Sequence, residues 1–458
     1  MNFLVMALFV AIFLAGYLAQ RLGVVPVYFM LVPELLTGIA LLGVLLRVIS
    51  GRRIVLDWRY VAFLGVFLFT LTAGFLAQSV PPGAIVSGLR NYVKFIPIFL
   101  LAAAYPFTAR QLRAQLIVLL AVLAAQIPLS VYQRFVQFAH RMHTGDPIRG
   151  MATSSSALSL LMVCAIVLLV SLYFRSRIKL PYLLVAIALL MVPTTLNETK
   201  GTFVMLPVAM LAPAFFMPRG SRPFRKMVPI IAIGMVALVA FVAAYDRMIT
   251  HRDGGVTIVE FFTEGRVNTY LYTGAAEGED RYVGRFDSVA IAMKMISDDP
   301  LKLAFGYGAG NVSTSRSLPG FEGEYGIFFD RYGVGVTQVS NFLWEIGVVG
   351  MLAFLWLYWC VFRDARYLAR TKGDFAIYGQ VWATVVILMG MALMYKSVLA
   401  MNEIAYLFWF YSGVVARNAY LERQARRKRS VADEAAKPVG SPVPSGKLGL
   451  QWSHQGAR

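Results

Sequence analysis

Apolar residues recur along the chain in runs of roughly 17–25, the length that carries a helix across about 30 Å of hydrocarbon. A spanning helix satisfies its own backbone hydrogen bonds where water is absent, so these runs read as helices. The pattern predicts about twelve spans: 3–20, 28–46, 60–78, 88–106, 114–133, 154–174, 180–196, 201–217, 227–245, 341–362, 376–395 and 403–420. The expected class is an all-α polytopic membrane protein. The first run, "MNFLVMALFVAIFLAGYLAQ", has no basic leader and no small-residue cleavage pattern, so it reads as a span.

Polar connections divide the chain into spans one to nine (1–245), a large loop (246–340), spans ten to twelve (341–420) and a basic tail (421–458). After 430 the tail is rich in Pro, Gly and Ser, lacks periodicity and is expected to be disordered. A second long connection, 134–153, lies on the same side as the large loop. Inside the large loop, "GRFDSVAIAMKMISDDP" (284–300) predicts an amphipathic helix. Its apolar face is Phe286, Val289, Ala290, Met293 and Ile296, and Pro300 ends it. "FGYGAGN" (305–311) has alternating glycines but follows no strand, so it reads as a tight turn, not a dinucleotide fingerprint. There is no Walker pattern.

Composition agrees: 58% of the residues are hydrophobic and 15% charged, against about 25% charged in soluble chains. A net charge of +19 in a soluble protein would point to nucleic acid, but here every second loop is basic. Arg47, Arg52, Arg53 and Arg59 share one such loop, and Arg110 and Arg113 the next. Arg175, Arg177 and Lys179 follow, then Arg219, Arg222, Arg225 and Lys226. Arg363, Arg366, Arg370 and Lys372 precede the tail "ERQARRKRS". The positive-inside rule places these loops and both termini in the cytoplasm and the large loop outside, with no nucleic-acid partner required. The basic tail reads as an orientation signal, with contact to anionic lipid as the alternative. Cys164 and Cys360 sit in apolar spans without a pairing or metal pattern.

Charges at membrane depth are costly, which makes them functional candidates. On the outer side these are Glu34, Arg90, Lys94, Arg149 after Asp146, Glu198 and Lys200 in "LNETKGTF" (196–203), and Arg285. Snorkelling is the alternative for Arg90 and Lys94. Lys200 sits in a turn that breaks the inside bias. His140 and His143 lack a third ligand, so no metal site is expected. "NET" at Asn197 matches a glycosylation pattern, but its position against a span argues against modification.

The order of these pieces resembles the O-antigen ligase and Wzy-type polysaccharide polymerase superfamily over roughly 130–420. "PIRGMATSSSALSLLM" (147–162) looks like the family's segment before its middle spans, and "TLNETKGTF" (195–203) is similar to its T-x-S-R-G turn, with Lys200 where Arg is usual. "GRFDSVAIAMKMISDDPLKLAFGYGAGN" (284–311) matches its Arg, helix, Pro and G-x-G-x-G-N, and "LWEIGVVGML" its L-x-E-x-G-x-x-G run. Ligase members carry His-Asn nine residues before that Glu. Here Val336 and Thr337 stand there, and aligning on Ser340–Asn341 leaves the spacing four residues short and still supplies no His. A polymerase is therefore expected ahead of a ligase.

The resemblance implies a cofactor- and metal-independent glycosyltransferase of the bacterial inner membrane. Its donor would be an undecaprenyl-diphosphate-linked oligosaccharide at the periplasmic face; membrane lipids, a chain-length regulator and a flippase would accompany it. The catalytic set would be Arg285, Lys200, Asp287 and Glu345, and the substrate-binding set Arg149, Arg90, Lys94, Asn341, Asp330 and Arg331. Cations would neutralise the leaving diphosphate, and a carboxylate among Asp287, Glu322, Glu324 and Asp330 would take the acceptor's proton. Trp344, Tyr332 and Phe329 would offer aromatic surface to sugars or anchor at the interface. Glu345 either borders the substrate pocket or only seats the loop. A transporter or flippase is the reading from another class; the loop's own helix and the few intramembrane charges stand against it.

Overall fold

The computed structural model describes residues 1–139, 145–218, 224–249, 257–263, 266–272, 283–313 and 321–435. His140, His143, Arg219, Arg222, Gly320, the side chains of Phe329 and Asp330, and residues 436–458 lie outside the described residues. Every regular element among the described residues is helical. The first nine helices are α1 (Asn2–Gly16), α2 (Val32–Ile49), α3 (Trp58–Ala77), α4 (Pro82–Tyr92), α5 (Ile96–Ala104), α6 (Ala109–Tyr132), α7 (Ser155–Phe174), α8 (Leu180–Leu196) and α9 (Gly201–Phe215). Then come α10 (Phe224–Ile249), α11 (Ile258–Thr263), α12 (Arg266–Leu271), α13 (Arg285–Ser297), α14 (Pro300–Phe305), α15 (Phe328–Arg331), α16 (Gln338–Ala369), α17 (Ala376–Leu393) and α18 (Asn402–Ala435).

Among the described residues, 9 helical segments are long and apolar enough to cross a membrane, so the chain is a helical polytopic membrane protein. They coincide with nine of the predicted spans. α8 and α9, with 17 and 15 residues, fall short of that length. The fourth span departs from the expectation: Pro82–Ala104 is broken into α4 and α5, and Lys94 stands in the break. Pro97 lies just inside α5, where a proline at the start of a helix forfeits no intrahelical bond. Met1–Tyr420 form one compact unit; from Leu421 the chain forms a second, helical to Ala435, so the basic run after 421 continues a helix.

Apolar character does not decide position. The Ser155–Phe174 segment is 78% buried within the protein, whereas the equally apolar Arg225–Arg247 is 17% buried and turned outward. At the core, Phe354 of α16 packs on Phe342 at 4.5 Å, on Phe67 of α3 at 5.0 Å and on Trp409 of α18 at 6.3 Å. α3 and α16 are also joined by charge. Arg59, expected as a plain loop cation, is buried; it pairs with Asp57 at 2.6 Å and with Asp364 at 3.3 Å. Tyr60 donates to the second Asp364 oxygen at 2.9 Å.

The predicted helix over 284–300 forms, with two corrections. It ends at Ser297, and Pro300 opens α14, whose first turn is capped by Asp299 accepting from the Leu301 amide at 2.8 Å. Its buried face is Ser288, Ala292 and Ile296, while Phe286 and Met293 are exposed. Of the predicted stripe only Ile296 is buried, because α16 packs against the neighbouring arc.

Candidate functional site

Two glycines set the meeting of the 305–313 loop with α16. Gly306 (φ 71, ψ −161) and Gly347 (φ 64, ψ −167) both occupy a region essentially reserved for glycine. A Cβ on Gly347 would lie 2.5 Å from the Gly306 nitrogen, and one on Gly306 2.8 Å from the Gly347 nitrogen. The "FGYGAGN" turn therefore lies backbone to backbone against a kink in α16. The Tyr307 amide closes it by donating to the Trp344 carbonyl at 2.7 Å.

Glu345, 2% exposed, fastens the same loop. Its Oε1 accepts from the Gly310 amide at 3.3 Å and from the Ser313 hydroxyl. Tyr92 of α4 also reaches it, and donates to Asn341 Oδ1 at 3.5 Å. Trp344 is fully buried, 5.3 Å from the Tyr307 ring and 6.2 Å from the Tyr332 ring. It packs the loop and offers no face to a ligand.

A different constellation gathers around Tyr395, in the connection between α17 and α18. Arg285, first residue of α13, donates through Nε to the Tyr395 carbonyl at 3.0 Å and lies 3.4 Å over the Tyr270 ring. Lys200 sits 3.9 Å over the Phe261 ring, which packs on Tyr270 at 5.6 Å. The next residue, Gly201, lets the chain approach the Tyr395 ring, where a Cβ would touch at 3.0 Å. Lys396 adds a third cation. Burial pushes its pKa below the ordinary 10.5, the Arg285 charge lowers it further, and Asp146 opposes both.

The far end of this connection gathers the other predicted cations. Lys94 donates to Asn402 at 2.7 Å and to Glu34 at 3.4 Å, and Arg90 pairs with Glu34 at 3.1 Å. Glu403, buried, accepts from the Thr153 amide at 2.7 Å and hydroxyl at 2.9 Å. Arg149 donates to the Thr153 carbonyl at 2.8 Å; burial lowers its pKa, and the Glu403 charge opposes that. Glu198 pairs with Arg134 at 3.1 Å and accepts from the Gly145 amide at 3.0 Å, so it seats the neighbouring turn. Asn197 is buried and donates to Ser159 and to the Ser155 carbonyl, which answers the glycosylation pattern.

The structure thus brings Lys200 and Arg285 together, ties Lys94 and Arg149 to the first residues of α18, and links Arg90 to Lys94 through their shared partner Glu34. Asp287 occupies the first turn of α13, two positions after Arg285. Asn341 and Glu345 lie in the loop seat, and Arg331 lies 5.6 Å over the Tyr332 ring. Lys396, Asn402 and Glu403 escaped the sequence reading. Their signal was present: "KSVLAMNE" (396–403) puts two charges in a short gap between apolar runs, as "LNETKGTF" does. Among the described residues no three His, Cys, Asp or Glu side chains form a group that could hold a metal. No protein-family model matches the chain, and a search of curated proteins finds no match.

Proposed function

We propose that the protein is a polysaccharide polymerase that transfers glycan from a lipid diphosphate at the membrane surface. The observation that carries the reading is the convergence of Lys200, Arg285 and Lys396, from three distant segments, around Tyr395. Such a surface suits a diphosphate: charge-assisted bonds would hold it, and the same cations would stabilise the charge that builds as it leaves. In the reaction an acceptor hydroxyl oxygen attacks the anomeric carbon and the carbon–oxygen bond to the diphosphate breaks. The bonding pair leaves with the diphosphate, and the hydroxyl proton passes to a carboxylate. Asp287, in the first turn of α13 two positions after Arg285, is the candidate base, while the Glu345 and Glu403 carboxylates are buried and hold loops. Arg149, Arg90 and Lys94 would bind the rest of the donor, with Asn341, Asp330 and Arg331 on its glycan side. The chemistry needs no cofactor.

In this reading α8, α9 and the start of α18 complete twelve spans, both termini lie in the cytoplasm and 246–340 faces the periplasm of a bacterial inner membrane. The donor would be an undecaprenyl-diphosphate-linked oligosaccharide, with a flippase and a chain-length regulator as companions.

Purified protein in vesicles, given a lipid-linked repeat unit alone, is the test. Growth of a ladder of longer lipid-linked products without a membrane gradient is expected. Transfer only to an added lipid or protein acceptor would assign a ligase instead. Translocation without growth would assign a transporter.

A further inference from the structure

A chamber of about 1070 Å³ opens at the other end of α17, where the loops are basic. That is at the upper end of ligand pockets, which run from about 300 to 1,000 Å³. Its walls are apolar and come from four helices: Leu120 of α6, Leu161 and Leu168 of α7, Trp382 and Met389 of α17 and Phe408 of α18. From Ile377 to Met389 of α17 the chamber follows twelve helical positions, about 18 Å at 1.5 Å per residue. This is a slot with the length of a lipid chain, inside the bundle.

The mouth is charged. Arg110, Arg113, Arg177 and Lys372 line it, all four exposed, and the rim also holds one carboxylate, Asp374. None of the four forms a salt bridge among the described residues. Arg175, also at the mouth, is committed inward, donating to Gln380 and to the Ala369 and Ala376 carbonyls. An apolar slot beneath an excess of cations matches an amphiphile with an anionic head. Each cation close to such a head adds to its retention.

We propose that this chamber binds an anionic phospholipid, its chain between α6, α7, α17 and α18 and its phosphate among Arg110, Arg113, Arg177 and Lys372. The site does not depend on the proposed glycan chemistry. Lys372 and Lys396 stand at opposite ends of α17, so the two centres are a bilayer apart.

Native mass spectrometry of the full-length protein tests the site, with dioleoylphosphatidylglycerol and dioleoylphosphatidylcholine offered in equal amounts. The expected result is retention of phosphatidylglycerol on the order of tenfold above phosphatidylcholine. The preference should vanish in an Arg110→Gln/Arg113→Gln/Lys372→Gln variant, whose changes are all exposed. Retention of either lipid should vanish in Leu120→Trp/Leu168→Trp, which fills the slot, with thermal unfolding checked in parallel. Equal retention of both lipids overturns the proposal, as does retention unchanged by the rim or slot variants. Displacement of phosphatidylglycerol by millimolar inorganic phosphate would show a head-only site and overturn it too. So would a lipid-free dimer that closes the slot.

Discussion

Arg285 holds Tyr395 twice, donating through Nε to its carbonyl at 3.0 Å and lying 5.0 Å from the centre of its ring. Arg285 opens α13 and Tyr395 follows α17, so 110 positions of sequence separate the partners. The contact joins the loop helix to the connection that also carries Lys396 and leads into Asn402 and Glu403 at the start of α18.

Arg285→Lys keeps the charge but loses the planar face over Tyr270 and the fixed direction of Nε. Arg and Lys are not interchangeable at a stacked site. Polymer formation in reconstituted vesicles should fall by about tenfold, from a loss of roughly 1–2 kcal/mol. Arg285→Ala should leave only single repeat units while protein levels hold. Full-length polymer from both Arg285→Ala and Lys200→Ala would remove the diphosphate assignment.

Gly306→Ala and Gly347→Ala should each destabilise the protein by at least about 1–3 kcal/mol, the cost of forcing a Cβ into this backbone region. The added atom also overlaps the facing strand of backbone. Thermal unfolding in detergent reads the effect. Gly373→Ala is the control: its position has open space around it and ordinary φ, and its melting temperature should barely move.

Glu345→Gln retains an oxygen for the Gly310 amide and the Ser313 hydroxyl, so folding and polymer formation should survive. Glu345→Ala strands both donors in a buried place and should cost about 1–3 kcal/mol per unmet group. A Gln variant that folds normally yet makes no polymer would instead give Glu345 a chemical role.

Lys396 links the site to pH. Its folded-state pKa lies below the ordinary 10.5, so above that lowered value the unfolded chain binds the proton more tightly. Stability therefore rises as pH climbs from the lowered pKa toward 10.5, because the half-buried cation is relieved. Donor binding should move oppositely and weaken over the same window as the charge is lost. Lys396→Arg should hold its charge and carry binding to higher pH; measured donor affinity against pH distinguishes the two. An identical alkaline limb in both variants would detach Lys396 from binding.

The legible parts of the site were those whose cost shows locally. Lys200 stood out because a lysine in a tight gap between apolar runs must be explained, and the glycines of 305–311 marked a turn. The same reasoning extended to 396–403 would have found Lys396 and Glu403. Glu345 was legible as a polar intrusion, but its task depended on what reached it from Gly310 and Ser313, more than thirty positions away. The face of α13 was misjudged because its apolar stripe and its packed arc differ, and only the position of α16 chooses between them.

By itself the sequence determined the membrane class, nine of the predicted spans and the periodic basic loops, because each rests on runs of residues acting through a bilayer that treats every chain alike. Tertiary structure alone decided which apolar helix is interior and which faces outward, as α7 and α10 differ while being equally apolar. It also decided that Arg285 and Lys200 lie over the packed rings of Tyr270 and Phe261, with Lys396 within reach of the Arg285 charge, and that a slot opens beneath the basic rim. The physical reason is common to both. Hydrocarbon is as apolar as a leucine side chain, so hydropathy cannot distinguish a helix neighbour from lipid, and only packing does.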